Sequence, residues 1–150
     1  MDVHHTRVPI IKLWNQLVVP LQGEITDDLA EVLTQDVLER IRVSDADGLV
    51  IDLTGVWMLD SHLCAMLSSL AASAGLMGTQ TVLCGMNPET AMTLQTMGVG
   101  MQTRTALTLE SALAMQGIRL HGEENDGESD EPLPLTRGDL DGLVGSMGEP

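Results

Sequence analysis

The sequence predicts an α/β fold: one domain built on a mixed sheet of four to five strands with about four helices, followed by a disordered acidic tail. Three observations carry that prediction. Short apolar runs alternate with segments of helical periodicity, as parallel crossovers require. The run Gly48-Leu49-Val50-Ile51-Asp52-Leu53 is apolar at four of its first five residues, which marks a central strand covered on both faces. Composition then changes at His121: residues 121–150 hold nine acidic residues and one basic residue, Arg137, a net of −8 within a chain total of −15.

Taken in order, Val8 to Leu13 and Leu17 to Leu21 form two apolar runs separated by Trp14-Asn15-Gln16, the pattern of a β-hairpin. Pro20 cannot donate to a ladder, so it belongs near an edge or a strand end. Thr26-Asp27-Asp28 is a helix-start signal with carboxylates suited to the first turn. Leu29, Leu33, Val37 and Ile41, with Val32 and Leu38 beside them, then mark an amphipathic helix, with Arg40 and Arg42 in its last turn. Ser44 to Gly48 is a loop before the central strand. A turn carrying Thr54 and Gly55 follows that strand, then Val56 to Leu59, and then Asp60-Ser61. Leu63, Met66, Leu67 and Leu70 recur at helical spacing, and that helix runs to about Ala74, with Gly75 and Gly78 bracketing its end. Thr81 to Cys84 is a second buried strand. Asn87-Pro88-Glu89 supplies a cap, a first-position proline and an acidic first turn for a helix to about Met97, where Gly98 stops it. Val99 to Arg104 is a further strand candidate, and Thr108-Leu109-Glu110 begins a fourth helix bearing Ala112 and Leu113.

Composition narrows the function. At 150 residues the chain has room for one domain with a real core. A net charge of −15 argues against nucleic acid or an anionic membrane as partner, because both need Lys and Arg to neutralise phosphate. No apolar run reaches membrane-spanning length and the start of the chain has no signal-peptide core, so the expected location is the cytoplasm. Cys64 and Cys84 lack metal or redox spacing and read as small core residues. With ten Met, and neither Phe nor Tyr, the core is expected to be aliphatic and filled with methionine.

Asp60, Ser61 and His62 are adjacent, but adjacency does not make a catalytic triad, and there is no G-x-S-x-G elbow. The remaining histidines are His4, His5 and His121. No phosphate-binding glycine loop follows a strand, and no His or Cys ligand spacing is present, so neither cofactor nor metal is expected. Ser61 falls on the first turn of a helix, near free amides and the positive end of the dipole. It is either a simple cap or a phosphorylation site, since phosphate there adds roughly two negative charges that the fold can tolerate. Trp57 and Met58 either pack inward or form an apolar rim for a partner. In the tail, Leu140, Leu143 and Val144 form a small apolar patch, read as incidental in a solvated segment.

Ile51-Asp52-Leu53-Thr54-Gly55-Val56 followed by Leu59-Asp60-Ser61, with the serine opening a helix, resembles the STAS domain family, named for sulfate transporters and anti-sigma factor antagonists. The resemblance is to the anti-sigma factor antagonist type, and within it to stressosome scaffold proteins of the RsbS type. Pro9-Ile10-Ile11-Lys12-Leu13, Leu76-Met77-Gly78, Val82-Leu83-Cys84-Gly85 and Ala106-Leu107-Thr108-Leu109-Glu110 carry that closer likeness. It covers residues 8–118, leaving 1–7 as an N-terminal extension and 119–150 as the acidic tail. The resemblance implies a non-catalytic scaffold that sequesters a serine/threonine kinase of the switch-kinase type and releases it when Ser61 is phosphorylated. Trp57, Met58, Leu59, Asp60 and His62 would form the partner surface, a phosphatase would reset the site, and paralogous STAS scaffolds would join it in a homo- or hetero-oligomer. The alternatives are a free anti-sigma factor antagonist in a partner-switching pathway or a STAS regulator that binds a small ligand. Cys84 stands where related scaffolds carry a threonine that is a second phosphorylation site in some of them, so two-site control does not carry over to that position.

Overall fold

The polypeptide enters its sheet through a hairpin, β1 (Ile11–Leu13) and β2 (Gln16–Gly23), paired antiparallel with Leu13 opposite Gln16. After helix α1 (Asp27–Ser44), the strands β3 (Gly48–Val56), β4 (Gln80–Cys84) and β5 (Arg104–Thr105) join in parallel, separated by α2 (Ser61–Leu76) and α3 (Pro88–Thr96). Helix α4 (Leu109–Met115) closes the order. The sheet runs β1-β2-β3-β4-β5, so β3 is central. The computed structural model describes residues 7–99 and 103–118. Residues 1–6, the acidic tail with its Leu140, Leu143 and Val144 patch, and His4, His5 and His121 lie outside the described residues.

Alternation along β3 explains why the sheet has two covered faces. Leu49, Ile51 and Leu53 point into one cluster, with Leu17, Val19 and Leu21 of β2, Leu83 of β4, and the inward stripes of α1 and α2. Val50 points the other way, with Val18, Val82, Cys84, and Ala112 and Leu113 of α4. Each fully buried aliphatic side chain of this kind contributes about 1.5–3 kcal/mol. In α1 the buried residues are Ala30, Leu33, Val37 and Ile41, and the Thr26 hydroxyl accepts from the Leu29 amide at 3.2 Å, capping the helix as its sequence indicates. Leu29 and Leu38 are half-buried and pack on the cluster, whereas Val32 lies outside it, exposed.

The structure differs from several of these expectations. Thr54 and Gly55 do not form a turn: β3 continues through them to Val56, because the long β2 offers partners as far as Gln22 and Gly23. Pro20, expected near an edge or a strand end, lies inside β2 at a point where one side of the strand is already an edge, so the edge alternative holds. Its missing donor is accommodated because the β1 ladder stops at Val18 and the register with β3 shifts between Pro20 and Gln22. The last strand is Arg104–Thr105, later than the apolar Val99, which is buried in the main cluster instead. Methionine does not fill the core: of the described methionines only Met66 is buried, Met86 is half-buried, and Met58, Met77, Met92, Met97 and Met115 are exposed. Leu, with the β-branched Val and Ile, supplies the packing. The first strand is also shorter than its apolar run, since Pro9 lacks an amide; Val8 and Ile10 still pack on the cluster.

The hairpin turns through Trp14, whose φ of 54° is left-handed and whose side chain is 69% exposed. A bulky residue there is strained, and asparagine tolerates that region better. Trp14→Asn should therefore raise unfolding free energy by about 0.5 kcal/mol, measured by urea denaturation.

Candidate functional site

The loop from β3 to α2 emerges at the carboxyl end of the parallel strands, where α/β proteins place functional groups. Its base is braced by Asp52, whose Oδ1 accepts from the Thr54 amide at 3.0 Å and from the Thr54 hydroxyl at 2.6 Å. Gly85 lies against this pair with φ of 76°, and its amide donates to the Leu107 carbonyl at 3.2 Å. A Cβ at Gly85 would collide with Asp52 Oδ1 and Thr54 Oγ1 and come 2.8 Å from the Thr54 nitrogen. The Trp57 amide donates to the Gly23 carbonyl at 3.1 Å, which extends the parallel ladder one step beyond β3 and fixes where the loop begins.

Asp60, not Ser61, caps α2. Asp60 has extended backbone (φ −97°, ψ 176°), and its Oδ1 accepts from the Leu63 amide at 2.8 Å. Ser61 is consequently the first helical residue, and it is exposed. Its side chain stands beside the positive end of the helix without being needed to close it. Trp57 and Met58 are 83% and 73% exposed, so neither packs inward. Leu59 behaves differently, being half-buried and packed on the main cluster, which anchors the middle of the loop. His62 is exposed, with Nε2 3.4 Å from Asp27 Oδ1, linking the starts of α2 and α1 when the imidazole is protonated. That ring reaches Asp27 rather than assembling a charge relay with its neighbour Ser61. An open cavity of about 430 Å³ runs from Ser61 along Cys64, Ala65 and Ser68 towards Met97 and Val99.

The cysteines are inert in this setting. Burial pushes the Cys64 thiol above its ordinary range, and the nearby Asp60 carboxylate acts in the same direction. Burial, then the Asp52 charge, pushes Cys84 from 9.0 up to about 12. Sequence reasoning missed three parts of this site: Asp27 as the His62 partner, the Asp52–Thr54 brace, and Gly85 beneath it. Only the brace left a readable signal, since an Asp two residues before a Thr is a side-chain-to-backbone pattern.

The chain matches the STAS domain family over residues 5–112. It belongs to that family. A serine-to-glutamate variant of RsbS from Moorella thermoacetica shares 31% identity and superposes with a TM-score of 0.68, covering 75% of this chain and 96% of that one. A chain from the molecular architecture of the stressosome, described there as a signal integration and transduction hub, is 29% identical with a TM-score of 0.64, covering 73% and 96%. The RsbT co-antagonist protein RsbRC of Bacillus subtilis strain 168 is 31% identical over 86 residues, 57% of this chain and 30% of its own length. RsbRD of the same strain is 27% identical over 93 residues, 61% of this chain and 34% of its own length. The chain thus spans about a third of the curated relatives it matches. The unphosphorylated anti-sigma factor antagonist SpoIIAA, at 16% identity and a TM-score of 0.63 over 75% of this chain and 99% of its own, shares the fold. The curated relatives are named as RsbT co-antagonists, and among the described residues of this chain no helix is long and apolar enough to cross a membrane.

Two outcomes are expected. Gly85→Ala should lower unfolding free energy by about 2 kcal/mol through the clash with the Asp52–Thr54 brace, read by denaturant titration. The Cys84 thiol has a folded pKa above its unfolded one, so its contribution is complete below pH 9.0 and drains as pH rises towards about 12. Unfolding curves collected across that window should show declining stability, and Cys84→Ala should flatten the decline while lowering the neutral-pH value.

Proposed function

We propose that this STAS domain is a stressosome-type scaffold that holds a switch-type serine kinase and lets it go when Ser61 is phosphorylated. The observation that carries the reading is the exposed Ser61 hydroxyl at the first position of α2, with the capping duty already met by Asp60. The likeness to RsbS across nearly the whole of that chain supports it.

The chemistry follows from position. A phosphate on Ser61 would meet first-turn amides and the helix dipole, so the domain accepts it without rearrangement. The same group would bring roughly two negative charges beside Asp60, into a surface that a bound kinase must desolvate. Trp57 and Met58 supply the apolar contact for that kinase, with Asp60 and His62 at its edge and Leu59 holding the loop rigid beneath. A penalty of about 3 kcal/mol already weakens a complex more than a hundredfold. A phosphatase restores the hydroxyl, and paralogous STAS scaffolds share the assembly.

Incubation with ATP and the switch-type serine kinase of the source organism should add one phosphate, mapped to Ser61 by peptide mass spectrometry. Ser61→Asp should melt like the wild type yet lose the kinase in a pull-down, whereas Ser61→Ala should keep it. Modification only at other residues, or retention of the kinase by Ser61→Asp, would defeat the proposal.

A further inference from the structure

The sheet ends at β1, and among the described residues no strand pairs with its outer side. The two-residue turn at Trp14-Asn15 makes Leu13 and Gln16 a hydrogen-bonded pair, so Leu13 and Ile11 spend their main-chain groups on β2. The N–H and C=O groups of Lys12 and, one alternation back, of Ile10 therefore face outwards. Pro9 belongs to the inward set, and the same register carried further would set it opposite Pro20. Neither has an N–H to give, which is why the ladder stops at Ile11–Val18. The outward set holds no proline, so this edge can take another strand.

Side chains on the edge divide in the same regular way. Ile11 lies opposite Val18 and shares its face of the sheet, the α4 side, where it is 49% exposed. Lys12, opposite Leu17, lies with Ile10 on the α1 side. There an open groove of about 330 Å³ is bordered by Ile10, Asp36, Glu39 and the exposed Val43. Asp36 is held only loosely, 3.9 Å from Arg7. Charge points to the same surface. Residues 7–23 hold Arg7 and Lys12 and no Asp or Glu, in a chain whose net charge is −15. Copies of so acidic a chain repel one another, and an acid-free edge lets them approach.

We propose that a second copy of this chain adds to β1, antiparallel, about a twofold axis through Ile11. That axis sets Ile10 of each copy against Lys12 of the other, so the outward N–H and C=O groups of both chains are met reciprocally. Ile11 faces its own counterpart in a non-hydrogen-bonded pair, where side chains stand closest and two β-branched residues pack well. Lys12, opposite Ile10 of the second copy on the α1 side, reaches the groove that Asp36 and Glu39 border there. An axis through Lys12 would instead set the two lysines directly opposite each other, which is unfavourable. The pairing goes beyond the Ser61 reading and does not rest on it.

Sedimentation velocity of the full chain tests the pairing. Edges this short bury less than the roughly 1,600 Å² of a standard interface, so dimer should appear at concentrations on the order of 100 µM and dissociate on dilution. Ile11→Lys brings two like charges face to face and should weaken the dimer more than about tenfold. Leu76→Ser removes a side chain 91% exposed at the end of α2 and should leave the dimer unchanged. Register is read by oxidative cross-linking. In Ile11→Cys the paired Cα atoms stand about 4.5 Å apart, within disulfide reach, whereas in Lys12→Cys they stand about 8 Å apart, beyond it. The first variant should form an intermolecular disulfide and the second should not, with Cys64 and Cys84 buried in both. Ile11 and Lys12 are exposed, so each variant should melt close to the wild type. A chain still monomeric at about 500 µM, an Ile11→Lys chain that dimerises as the wild type does, or cross-linking of Ile11→Cys no better than that of Lys12→Cys would overturn the proposal. None of these readouts involves phosphorylation of Ser61 or retention of the kinase, which succeed or fail on their own.

Discussion

Everything in this domain is registered to β3. With Leu49, Ile51 and Leu53 buried on one face and Val50 on the other, a slip of one residue would exchange the two sets of contacts at once. The pairing of β3 with β2 and β4 on either side is therefore strongly specified, and so is the point at which the strand ends. The Trp57 amide bond to Gly23 marks that point, and Leu59, held against the core, takes the chain across to Asp60. The Asp60 carboxylate then fixes the first turn of α2. The proposed presentation of Ser61 to a kinase would be served by this sequence of constraints, because the loop is pinned at Trp57, Leu59 and Asp60.

The order of helices and strands was legible because each helix has a local start signal. Thr26, Asp60, Asn87 and Thr108 all accept a first-turn amide, and all are residue types whose short polar side chains favour that geometry. The two-sided burial of β3 was legible for a similar reason, since an unbroken apolar run cannot face water on either side. What failed were features decided by tertiary partners. Gly55 looks like a turn residue in isolation, but it is held in β3 by pairing with Gln22. The short β5 leaves almost no periodic signal because it has only two residues.

For the site itself, local chemistry narrowed Ser61 to two roles, and geometry chose between cap and free hydroxyl. That choice turned on one carboxylate: Asp60 and Ser61 are both good cap residues, and a sequence does not say which will adopt the extended backbone. The outward placement of Trp57 was undecidable from sequence for a related reason, since Leu59, two residues on, is the one that turns to the core. Asp27 and His62 belong to different helices, 35 positions apart, and only the fold brings them to 3.4 Å.

The distribution of methionine has a consequence for chemical wear. A thioether converted to its sulfoxide becomes polar and ruins packing when it lies inside a protein. Here Met58, Met77, Met92, Met97 and Met115 stand at the surface while aliphatic side chains hold the interior. Oxidants therefore reach sacrificial sulfur first, and the damage is confined to groups that reductases can reach and restore without the domain having to unfold.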